Sequence, residues 1–222
     1  MRHRFILIII LTSSCTLFGQ QKQTDISEYF SESEVEGFNE IADFFQLQLC
    51  GTKDKEKFAK CFNLALPKLL DLDQNYIGRK ISWKKQKKLY SKISDTCFET
   101  VWHICNSWRN IKPKHEYESI CFGQSGVFLE FVQELGKTNL YLAYYEKKLK
   151  SNSTFDSGNY LVANINQNTA NWNLNDRGVQ VFLAIHFLTQ NDALKRDKRA
   201  TRLEKKDVRK LNRKNKTVPY NT

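Results

Sequence analysis

Apolar side chains recur every three or four residues along most of the chain, and this period predicts helices rather than strands. The stretch CFETVWHICNSW at 97–108 is the clearest case. Phe98, Val101, Trp102, Cys105 and Trp108 fall on one broad stripe, so a core helix is expected there. Before it, Val35, Phe38, Ile41, Phe45 and Leu49 keep the same period between a cap at Ser31 or Ser33 and a stop at Gly51. A second helix is expected over 54–72 with Phe58, Phe62, Leu66 and Leu69 on one face and a kink at Pro67, and a third over 82–93, carrying Trp83, Tyr90 and Ile93.

Beyond the turn at 123–126, Phe128, Phe131, Val132 and Leu135 predict a helix that stops at Gly136. Thr138 is the expected cap of the next, whose apolar side is Leu140, Tyr141, Tyr145 and Leu149. Ser157 opens another through Leu161 and Ile165, followed by an asparagine-rich loop holding Trp172. Asp176 then starts a strongly apolar helix with Val179, Phe182, Leu183, His186 and Phe187 that is expected to end near Asn191 and Asp192. No strand alternation persists, so the expected class is all-α: a single irregular domain of seven to eight short helices over 20–194.

Charge changes the picture at the two ends. Arg2 and Arg4 precede an unbroken apolar run over 5–11, the pattern of a secretory signal covering 1–19, and the run is too short to span a bilayer. Leu17-Phe18-Gly19-Gln20 resembles the end of such a leader, with the mature chain starting at Gln20. Cys15 offers the alternative of a lipid anchor, although Thr12 stands where such a signal usually has leucine. At the other end, residues 195–216 carry twelve Lys or Arg against Asp197, Glu204 and Asp207, a local charge of +9. With Arg2 and Arg4 this accounts for the whole formal charge of +11, so 20–194 is neutral. The basic character is therefore that of a tail, 195–222, and not of a nucleic-acid platform spread over the surface.

Five cysteines follow the leader: Cys50, Cys61, Cys97, Cys105 and Cys121. Export to an oxidising, periplasmic or envelope compartment would pair some of them and leave one over. Cys50 with Cys61 would staple a helix hairpin, and Cys97 or Cys105 could reach Cys121. A bridge between Cys97 and Cys105 is excluded if both lie on one helix, since eight residues rise about 12 Å.

No catalytic motif stands out. Residues 71–75 fail as a calcium loop because Tyr76 occupies the glycine position and Ser82 the closing carboxylate. His103, His115 and His186 have no zinc spacing, and the 123–126 turn is neither a phosphate loop nor a nucleophile elbow. No metal or cofactor is expected.

The sequence therefore points to an exported, non-enzymatic subunit that docks on an acidic protein or an anionic membrane surface through Lys195, Arg196, Lys198, Arg199, Arg202, Lys205, Lys206, Arg209, Lys210, Arg213 and Lys214. Export disfavours nucleic acid as the partner. The alternative is an envelope hydrolase with Asp/Glu residues in a cleft between helices.

Overall fold

The computed structural model describes residues 23–70, 75–109, 116–155 and 158–216. The leader, Cys15, Asp71, Asp73, His115 and the Ser157 cap lie outside these residues. Among them the chain forms nine α-helices and one small antiparallel sheet. In chain order the helices are α1 (Glu32–Cys50), α2 (Phe58–Leu70), α3 (Tyr76–Lys80), α4 (Trp83–Tyr90) and α5 (Asp95–Val101). The strands β1 (Trp102–Trp108) and β2 (Glu116–Phe122) follow, then α6 (Gly126–Gly136), α7 (Leu140–Asn152), α8 (Gly158–Gln167) and α9 (Arg177–Lys216).

Several boundaries follow directly from local chemistry. Ser31 and Glu34 close a capping box at the start of α1, and Gly51 ends it in the left-handed conformation that glycine adopts without cost. Ser82 caps α4 and Ser125 caps α6. The cap of α7 is Asn139 rather than Thr138: its carboxamide oxygen accepts from the amides of both Tyr141 and Leu142, whereas the Thr138 hydroxyl is turned back to the Leu135 carbonyl.

Two expectations are corrected. Residues 97–108 are not one helix. Helix α5 stops at Val101, and β1 pairs with β2 in the register Trp102 to Phe122 through Trp108 to Glu116. Tryptophan and isoleucine suit a pleated surface, and the Cys105–Cys121 disulfide ties the two strands together.

The second correction concerns the helix end expected near Asn191 and Asp192. Helix α9 continues without a break from the core through Asn191 and Asp192 to Lys216, 40 residues or about 60 Å long.

Helix α9 is the axis of the core. Residues Val181 through Ile185 have no exposed surface at all, which for a helix means neighbours on every side. Helices α1, α3, α4, α6 and α8 and strand β2 all pack against α9. Phe187 stacks on Phe45 of α1 and meets Phe62 of α2. Trp102, fully buried, donates its indole N–H to Thr189 Oγ1 at 2.7 Å, joining β1 to the same axis.

Candidate functional site: a cationic helix and the cleft beside it

The first half of α9 is held on one side by α3 and α4. Trp83 Nε1 donates to Asp192 at 2.9 Å, Gln86 Nε2 to the Leu188 carbonyl at 2.7 Å, and Asn191 Nδ2 to Gln86 Oε1 at 2.6 Å. One turn on, Lys195 Nζ donates to the Gly78 carbonyl at 2.6 Å, and burial together with the neighbouring Lys198 lowers the Lys195 pKa. These contacts absorb the polar side chains at 191 and 192 that make the sequence look like a helix end.

Beyond Lys195 the packing changes sides. Ala200 and Glu204 are buried against the β hairpin, where Arg109 donates to Glu204 Oε2 at 2.8 Å and also pairs with Asp197. Arg196 pairs with the buried Asp192 and approaches Glu118. Arg196 and Lys195 are therefore engaged within the fold, and Asp197 and Glu204 are turned inward.

Eight further cations, Lys198, Arg199, Arg202, Lys205, Lys206, Arg209, Lys210 and Arg213, are exposed, and Lys210 also lies 3.9 Å from the Asp207 carboxylate. At 100° per residue they occupy one arc of about 140° and run for about 22 Å along the helix. None of the three acidic residues of the segment shares that arc. Lys214 lies in the last turns of the same helix. Among the described residues, those of α9 that contact α3 and α4 (188, 191, 192 and 195) fall on this same arc. The exposed stripe thus begins where α3 and α4 cease to cover it. Those two helices add Arg79, Lys80, Lys84, Lys85, Lys87 and Lys88, all exposed. Two basic segments far apart in sequence thus lie on elements that pack against one another.

The neutral sum over 20–194 conceals this polarity. Residues 23–52 hold seven Asp or Glu and no Lys or Arg, while 79–88 holds six Lys or Arg and no acid.

Removing the clamp should free the distal helix. Arg109→Ala leaves the buried Glu204 carboxylate without its cation, which is strongly unfavourable. Amide hydrogen exchange in residues 198–208 is expected to accelerate by roughly tenfold or more while exchange in 181–188 stays protected. Unchanged protection at 198–208 would show that the clamp is dispensable.

Cys50 is bonded to Cys61, and Cys105 to Cys121, with Cα separations of 5.8 and 5.9 Å. Among the described residues Cys97 is the free thiol, buried against Gly37 and within 3.7 Å of the Glu34 carbonyl. Burial, aided by the Glu34 charge, pushes this thiol up to about 12. It should therefore fail to react with a disulfide reagent at pH 8 in the native protein and react in denaturant. Because the thiol stays neutral when folded but ionises near 8.5 when unfolded, its contribution favours the folded state at neutral pH and is lost as pH climbs from about 9 toward 12.

The histidines divide. His186 is buried, with Nδ1 2.7 Å from the Tyr145 hydroxyl and Nε2 3.1 Å from Gln190 Nε2. His103 is exposed on β1 opposite Cys121 and close to both sulfurs of the Cys105–Cys121 bridge. Those sulfurs are bonded to one another and are not thiolate ligands.

Between α3, β2, the α7–α8 connection and α9 lies a cleft of about 820 Å³. Its buried floor is Ile120, Phe122, Val162 and Phe187. Among its described lining residues the one carboxylate is Asp197, already paired with Arg109. The pair of carboxyl groups that an Asp/Glu hydrolase needs is not gathered there.

Comparison with known proteins finds no matching family, no matching curated protein and no matching solved structure. What is shown is a multi-helix protein with two disulfides, which fit an oxidising environment, and no helix of the described residues is long and apolar enough to cross a membrane.

Proposed function

We propose that this is an exported, non-enzymatic protein of the cell envelope that docks, through the exposed stripe of α9, on an acidic protein face or an anionic membrane surface. The observation that carries this reading is the segregation of eight exposed cations onto one arc of a helix whose acidic residues all lie off that arc. The pairs 198/202, 202/206, 205/209, 206/210 and 209/213 each set like charges one turn apart, which disfavours the helix by about 0.2–0.5 kcal/mol per pair. An anionic partner would relieve that repulsion. Every position of the arc between 198 and 213 is Lys or Arg, so contact would be made by charge rather than by insertion.

The test is binding of the purified chain to vesicles of zwitterionic lipid, alone or with an anionic lipid added, and to a polyglutamate-coated surface. Binding should require negative charge and should fade with rising salt, because such contacts are screened. Equal binding to neutral and anionic surfaces, or binding insensitive to salt, would refute it.

A further inference from the structure

The cleft described above plays no part in the docking proposal, yet its chemistry is specific. The floor formed by Ile120, Phe122, Val162 and Phe187 is apolar and continues into walls that include Ile77, Phe155 and Leu194. Ser119, Thr154 and Asn159 also line it, and three of its polar groups are committed to the protein. Thr189 Oγ1 accepts from Trp102 and donates to the Ile185 carbonyl, Gln190 bonds His186, and Asp197 bonds Arg109. A ligand body seated here would meet hydrocarbon.

One rim is different. Tyr76 lines the cleft at α3, and the ammonium groups of Lys68 and Lys80 lie 5.9 and 5.7 Å from the centre of its ring. Two cations thus stand at one end of an apolar trough, whose volume is in the range of small-molecule sites, about 300–1,000 Å³.

We infer that the cleft binds a single-chain anionic amphiphile, with the alkyl chain laid along Phe122, Val162 and Phe187 and the anionic head held at the α3 rim by Lys68 and Lys80. The head group is a carboxylate or a phosphate monoester, both of which an ammonium cluster accepts.

Isothermal titration of the full chain with three twelve-carbon probes, each below its micelle concentration, tests this. The probes are dodecanoate, dodecyl phosphate and dodecyltrimethylammonium. Saturable binding at one site is expected for at least one of the two anions, about tenfold or more tighter than for the cation. Which anion binds better assigns the head group. Leu194→Glu, placed on an exposed wall position where the fold tolerates charge, should weaken the preferred anion by about tenfold. Lys68→Glu with Lys80→Glu should erase the preference for anion over cation.

Circular dichroism and the absence of reactive thiols at Cys50, Cys61, Cys105 and Cys121 confirm that each variant is folded and bridged. Absence of saturable binding by both anions, equal binding of the cation, or affinity unchanged by Leu194→Glu would each overturn the inference. Because none of these substitutions touches the exposed stripe of α9, failure here leaves the docking proposal standing, and the reverse also holds.

Discussion

Reduction of both disulfides is expected to lower the stability of the folded chain by about 6 kcal/mol, some 3 kcal/mol for each bridge on a chain-entropy basis. The bridges close loops of 11 and 16 residues. For a domain whose whole stability is of the order of 5–15 kcal/mol, this is a large fraction.

The two losses should differ in kind. Cys50–Cys61 joins the end of α1 to α2, and the aromatic contacts of Phe45, Phe58, Phe62 and Phe187 around it remain after reduction. Cys105–Cys121 ties together a ribbon of two strands, and a two-stranded ribbon is only marginally stable by itself. Its loss should therefore loosen the hairpin and, with it, the Arg109 clamp on α9. Urea unfolding with and without a strong reductant measures the sum, and the single Cys→Ser pairs resolve the parts. A shift in stability below about 1 kcal/mol would mean that packing alone specifies the fold.

Neutralising the middle of the cationic stripe should have the largest functional effect. Each Lys or Arg near an anionic surface contributes about 1 kcal/mol of attraction at moderate salt. Converting Lys198, Arg202, Lys206 and Arg209 together to glutamine removes about 4 kcal/mol, nearly a thousandfold in affinity.

Stability should change little, because these side chains are exposed and glutamine is a good helix former, and because each of the five like-charge pairs at one-turn spacing loses at least one member. A control that neutralises Lys147 and Lys150 on α7, well away from the stripe in sequence, should leave binding intact. If the fourfold variant binds anionic vesicles as the unaltered chain does, the stripe is not the contact surface.

Much of this architecture was legible in the apolar period, and the failures have physical causes. Phe98, Val101, Trp102, Cys105 and Trp108 match a helical stripe only because a helix and a strand happen to abut at residue 102. The alternation of Trp102 and Ile104 with His103 and Cys105 was the signal for β1. It gains force only beside Tyr117, Ile120 and Phe122, a run too short to assign without its partner strand.

The false helix end at Asn191 and Asp192 has a different origin. Both side chains are fully buried, and their partners are Gln86 and Trp83, about a hundred residues away in sequence. Local polarity cannot distinguish a buried, satisfied carboxylate from a solvated one. For the same reason the segment 195–216 read as an appendage: the Arg109 contacts that hold its first turns come from the end of β1. The cations themselves were plain in the sequence. Their restriction to one arc required the helix to be continuous.

Co-sedimentation of the purified chain with isolated cell envelopes, at low and at high salt, tests the central claim most directly when run beside the fourfold glutamine variant. The account predicts that the unaltered chain sediments at low salt and is released at high salt, while the variant remains in the supernatant in both. Equal sedimentation of the two proteins, or retention of the unaltered chain at high salt, would contradict it.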